Sequence, residues 1–180
     1  MNCDNLLKNI IDQIKEAQIK LGYAKETVRL YYPMESMQEI LGTAYESVPE
    51  LLKSLQHEEA FSSGALGTIT FSNHKKRIEV CIPPEGSEYV HTEIPEPAFL
   101  VDLIHLFQTN HHCHLEDIHA IFRKFSASYI FEKMPEGSDF DFVFAFVDKA
   151  IDGYYYCIKE EMAHTIYHRF SPEDYKLLIE

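Results

Sequence analysis

The stretch "NHHCHLEDIH", residues 110–119, sets four histidines and a cysteine beside two carboxylates. Imidazole and thiolate are ligands that zinc takes, about four of them at about 2 Å, usually delivered by two separated pairs. Here His111, His112, Cys113 and His114 are contiguous, so neighbouring side chains point in different directions. His119 lies five residues after His114, not at the spacing of three or four that shares a helix face. The plainer reading puts His114 at the cap of a helix that starts at Leu115, with Glu116 and Asp117 at its positive end. The metal reading keeps His112, His114 and His119 as candidate ligands, helped by residues from elsewhere in the chain.

Other histidine patterns carry less. Glu-x-x-His occurs at Glu88/His91, Glu116/His119 and Glu161/His164, a spacing that builds di-iron sites when paired on facing helices. With 20 glutamates among 180 residues this is weak enrichment, and two of the pairs fall outside any long expected helix. His164 and His168 share a strand face by period two. A Cys-His nucleophile requires a histidine brought to Cys113 from elsewhere, because His112 and His114 leave the backbone in the wrong directions. No nucleophile elbow, phosphate-binding glycine loop or kinase signature occurs, and seven glycines leave little room for such loops. No catalytic residue and no cofactor is assigned.

Charge narrows the partners. Lysine and arginine number 16 against 29 aspartates and glutamates, a formal −13, with −4 over residues 1–90 and −9 over 91–180. Such a field repels phosphate backbones and anionic membranes. The clustered cations are Lys75, Lys76 and Arg77, and three phosphate contacts fall short of the about 6–10 that typical DNA binders make. Those three residues are the nucleic-acid candidates, and nucleic acid is not the expected partner. Cys3, Cys81, Cys113 and Cys157 form no C-x-x-C pair and read as reduced, structural thiols. Met1-Asn2-Cys3-Asp4 opens no signal peptide and no apolar run is long enough to span a bilayer, so a cytoplasmic protein is expected.

The elements follow from periodicity. Asp4 is expected to cap a helix with Leu7, Ile10, Ile11, Ile14, Ala17 and Leu21 on one stripe and Gly22 as its stop. "TVRLYYP", residues 27–33, reads as a strand, and Met34, Met37, Ile40 and Leu41 mark a second helix closed by Gly42. Ser47 and Glu50 form a capping-box pair for a third helix, whose outward residues are Glu50, Lys53 and His57. Ile69 and Phe71, then Ile78, Val80 and Ile82, alternate as a β-hairpin around the polar turn "SNHKK", residues 72–76. Residues 82–97, with four prolines, read as a connector.

Helices are expected from Pro97 to Phe107 and from Leu115 to Phe125, then four strands near 129–132, 140–147, 154–157 and 164–170. Phe140, Phe142, Phe144 and Phe146 alternate as a core layer, and Ser171-Pro172-Glu173-Asp174 starts a short last helix.

Over residues 5–83 the order of elements resembles a winged helix-turn-helix. The whole chain resembles a small bacterial family known only as a domain of unknown function, in "EYV" after "IPPEG", in "CHLEDIHAIFRKFS" and in "IYHRFSPEDY". That resemblance implies a self-contained protein and supplies no site residues. The expected fold is therefore α+β: a winged-helix-like lobe, 1–90, packed on an α+β lobe, 91–180. The helix from Pro97 is apolar at seven of nine positions from Phe99 to Phe107, more than a one-sided surface helix needs. It is expected to be covered by the N-terminal lobe or by a second copy of the chain. The functional reading is a non-enzymatic protein-interaction or regulatory protein. The alternatives are a small metal- or ligand-binding enzyme at the histidine-rich turn and a weak DNA-binding regulator.

Overall fold

The computed structural model describes residues 1–110 and 112–179. The chain divides into two compact units, Met1–Glu96 and Pro97–Glu180, each with helices and one antiparallel sheet.

Unit 1 runs α1 (Cys3–Leu21), β1 (Val28–Pro33), α2 (Met34–Leu41), α3 (Val48–Gln56), a 3-10 turn, β2 (Thr70–His74), β3 (Arg77–Ile82) and α4 (Pro84–Glu93). Asn2, not Asp4, caps α1: its Oδ1 accepts from the Asn5 N–H at 3.1 Å, and Asp4 sits in the first turn. Leu6, Ile10 and Ile14 form the buried stripe of α1; Leu21 lies beyond it and is 87% exposed. Gly22 ends α1 at φ 85° and Gly42 ends α2 at φ 62°, backbone conformations that cost glycine little. Ser47 caps α3, accepting from the Glu50 N–H, while the Glu50 carboxylate accepts from the Glu46 N–H at 3.0 Å.

The sheet has the order β1-β3-β2. Val28, Leu30 and Tyr32 lie opposite Ile82, Val80 and Ile78, and Phe71 lies opposite Val80. Val80, Ile78, Ile82, Phe71 and Tyr32 are buried, joining Leu6, Ile10, Met37, Ile40, Leu41, Leu51 and Leu55 in one core. The alternate residues Arg29, Tyr31, Ser72, His74, Arg77 and Glu79 stand on the other face. His74 still pairs with Arg77, so the turn is only Lys75–Lys76 and not the whole of residues 72–76.

The expected connector is in fact α4. Proline suits the first position of a helix, where its missing N–H would have no partner, so Pro84 opens this segment and does not break it. Gln18 of α1 donates from Nε2 to the Ser87 carbonyl at 2.9 Å, and Lys15 approaches the His91 carbonyl at 3.5 Å. Burial lowers the pKa of that lysine. Gly86 permits this packing: a Cβ there would come within 2.4 Å of the Leu66 carbonyl oxygen and 2.6 Å of Ile82 Cγ2.

Unit 2 runs α5 (Ala98–Thr109), α6 (Leu115–Phe125), β4 (Tyr129–Lys133), β5 (Phe142–Phe146), β6 (Tyr155–Glu160), β7 (Thr165–Phe170) and α7 (Pro172–Ile179). The strands form the expected meander in the order β4-β5-β6-β7, antiparallel throughout. One face carries Phe144, Phe146 and Tyr156, whose rings meet Phe99 of α5 and Phe122 of α6. The other carries Val143 and Cys157, packed with Tyr155, Phe170, Tyr175 and Leu178. Phe140 breaks the expected alternation. It precedes β5 and packs on this second face, against His168 and Phe170. Ser171 caps α7, accepting from the Asp174 N–H at 3.1 Å.

Replacing Gly86 by alanine is expected to destabilise the protein by about 1–3 kcal/mol, because the Leu66 backbone carbonyl and the buried Ile82 side chain must move. Urea unfolding checks this, and an unchanged midpoint would contradict the packing of α4.

Candidate functional site

The histidine-rich turn is divided by the fold. His111 lies outside the described residues. His112 and His114 are exposed, with ring centroids 5.6 Å apart. His114 holds the capping position of α6, its N–H donating to the Asp117 carboxylate at 3.2 Å. His119 lies within α6: its Nδ1 is 2.7 Å from the Tyr129 hydroxyl, and its ring meets Phe131 and Phe144 edge-on. The structure thus pairs two of the three candidate ligands and places the third in an aromatic cluster. Among the described residues, no group of three or more His, Cys, Asp and Glu side chains is arranged to hold a metal ion.

Cys113 faces inward. It is fully buried, its thiol donates to the Asn110 carbonyl at 3.1 Å, and its own carbonyl accepts from the Thr165 hydroxyl at 3.0 Å. Burial raises its pKa, which disfavours the thiolate a nucleophile needs. The three Glu-x-x-His pairs are engaged separately. Glu88 binds Lys25 and His91 stacks on Tyr23; Glu116 pairs with Arg123; Glu161 and His164 pair with each other at 2.8 Å.

Sequence reading missed a buried polar group in unit 2. The side chains of Asp152 and Arg169 are each 5% exposed and 3.4 Å apart. The Asp152 carboxylate accepts from the Tyr156 hydroxyl at 3.0 Å and from the Tyr154 N–H at 2.8 Å. Arg169 donates from Nε to Tyr156 at 3.0 Å and lies 3.5 Å above the Tyr154 ring. The group satisfies its own donors and acceptors, as a buried ion pair must to offset desolvation. It holds β6 and β7 together. Asp152 stands two residues before "YYYC", but Arg169 lies on β7 and only the pairing of Tyr156 with Arg169 brings the two charges together.

The outward face of the unit 1 sheet is the candidate site. Across β1, β3 and β2, one row reads Tyr31, Glu79, Ser72 and the next reads Pro33, Arg77, His74. Tyr31 donates to Glu79 at 3.0 Å and Ser72 donates to the other oxygen at 2.8 Å, with Arg29 3.6 Å away. The hydrogen bonds from Ser72 and Tyr31 hold the Glu79 carboxyl below its usual range. That carboxylate is therefore occupied, and it fixes the Tyr31 ring. The ring lies 5.2 Å from His74, tilted by 59°. Tyr31, His74, Lys75, Lys76 and Arg77 line an open groove of about 450 Å³, and the three cations are exposed. Sequence reading found the cations; it did not find Tyr31 and His74, which only the sheet register brings beside them.

Lys75 adopts φ 60°, and it is the one positive-φ residue other than glycine among the described residues. A two-residue hairpin loop needs positive φ at its first central position, where glycine or asparagine is preferred. A lysine there costs about 1 kcal/mol, and such strain clusters at binding sites.

These features define an α+β protein that pairs a helix–hairpin unit with a helix-backed antiparallel meander. The model of a family described as "Domain of unknown function, E. rectale Gene description (DUF3877)" matches residues 3–179, and the chain belongs to that family. No curated protein and no solved structure matches the chain.

The thiol geometry has a direct check. Burial pushes the Cys157 pKa up to about 12 and raises that of Cys113, so neither is expected to react with an alkylating reagent at pH 8 in the native protein. Mass spectrometry should show both modified only after denaturation. Rapid native labelling of Cys113 would reopen the nucleophile reading.

Proposed function

We propose that the chain is a non-enzymatic binding protein of regulatory role, working in the cytoplasm. Its N-terminal unit acts as a winged-helix-like module, with β2 and β3 as the wing, and the wing tip recognises an anionic partner. The observation that carries this reading is the groove at Tyr31, His74, Lys75, Lys76 and Arg77. Three consecutive cations and two rings stand together on a chain whose net charge is −13. Among the described residues no carboxylate lines that groove, and Glu79 on the same sheet face is occupied by Tyr31 and Ser72.

Duplex DNA is the weaker occupant. In a helix-turn-helix the second of the paired helices reads base edges in the major groove. Here that helix is α3, and its exposed residues are Pro49, Glu50, Lys53 and Gln56, with His57 at the C-cap, so only Lys53 and Gln56 are of a base-reading type, no arginine is among them, and Glu50 offsets the one cation. Specific readers present arginine, lysine, asparagine or glutamine to the bases.

The test uses inorganic pyrophosphate as the probe, titrated at constant ionic strength into isotope-labelled protein and followed by NMR. The expected result is saturable shifts confined to Tyr31 and residues 74–77, abolished in a variant with Lys75, Lys76 and Arg77 all changed to alanine. The absence of saturable shifts at the tip would overturn the reading. Sub-micromolar binding of a duplex at physiological salt would replace it with DNA recognition.

A further inference from the structure

Resting on that reading of the wing tip, we infer that its anionic ligand is a free nucleotide, with the base against Tyr31 and His74 and the phosphates among Lys75, Lys76 and Arg77. The lining divides into two chemistries. Lys75 and Lys76 form the tight turn and Arg77 opens β3, three successive cations suited to phosphate oxygens because ammonium and guanidinium groups give charge-assisted hydrogen bonds. Tyr31 and His74 are rings from two different strands, and a base can pack on their tilted pair. An acidic peptide would use the cations and leave the rings idle. A groove of about 450 Å³ lies within the range of small-molecule sites, about 300–1,000 Å³.

The ring at the centre is held in advance. Tyr31 is 40% exposed, yet its hydroxyl is tied to Glu79, which Ser72 also binds. A side chain fixed before binding loses less entropy on binding.

Charge argues for a small ligand over a polymer. Electrostatic interactions fade over about 8 Å at physiological ionic strength, so a mononucleotide at the tip responds to the local cations. A longer strand would run on along a chain carrying 29 carboxylates against 16 cations. The backbone agrees with the charge: Lys75 occupies a position where glycine would relieve strain, and only the lysine supplies a cation there.

Calorimetric titration of the intact chain with ADP, inorganic pyrophosphate and adenosine tests the inference. ADP should bind at least about five-fold more tightly than pyrophosphate, the low end of the gain from stacking one base on an aromatic side chain. Tyr31→Leu should erase the preference for ADP over pyrophosphate. Tyr31→Phe, which keeps the ring and loses the Glu79 bond, should retain a preference for ADP. The Lys75, Lys76, Arg77 triple alanine variant should lose both ligands, with circular dichroism confirming that every variant is folded. Equal affinities for ADP and pyrophosphate would overturn the nucleotide and leave the anion-binding reading standing. Binding of neither would overturn both. Tighter binding of a single-stranded oligonucleotide or a glutamate-rich peptide than of ADP would also overturn the inference.

Discussion

The register of the β2–β3 hairpin decides which side chains of unit 1 meet water. Side chains alternate faces along a strand, so a slip of one residue would carry Ile78, Val80 and Ile82 outward and Arg77, Glu79 and Cys81 inward. Turn geometry fixes that register, and here the turn is two residues long, Lys75 and Lys76. The inward row completes a core with α1, α2 and α3, while the outward row assembles Tyr31, Glu79, Ser72, His74 and Arg77. Core and candidate site are therefore two faces of one pairing. The chain keeps a strained lysine at the point that sets it.

Unit 2 solves a different problem. Its meander has helices on both faces, so residues 143–146 of β5 and 156–158 of β6 are buried on each side and are apolar or aromatic. A sheet so closed leaves polar groups only where they can satisfy one another, as Asp152, Tyr156 and Arg169 do. The same closure buries Cys113 and Cys157 and raises both thiols. His114 caps α6 and His119 lies within it, bonded to Tyr129. The chemistry suggested by their clustering in sequence is dispersed by the direction in which each leaves the backbone.

Periodicity made most elements legible. The three helices and the hairpin of unit 1, and the four strands and last helix of unit 2, stand close to their expected places because one-sided burial writes a period of 3.6 or 2 into the sequence. Helix α4 was hidden because four prolines across residues 82–97 mimic a connector, and because the need for Gly86 arises from Leu66 and Ile82, which are remote in sequence. Phe140 was misplaced because Asp141 ends the strand pattern before it: the Asp141 N–H donates to the Ile158 carbonyl and its carboxylate accepts from the Glu160 N–H. At the wing the three cations were plain, being consecutive. Tyr31 lies 43 residues before His74, and only cross-strand register joins them.

Under the proposed anion-binding role, the hairpin tip spends backbone stability on a cation that binds. Lys75→Gly measures both halves at once, by urea unfolding and by pyrophosphate titration of the same variant. Glycine should stabilise the fold by about 0.5–1 kcal/mol, because it accepts positive φ without strain, and should weaken pyrophosphate binding. A variant that is more stable and binds pyrophosphate as tightly as the parent chain would contradict the account, because Lys75 would then have no role at the tip.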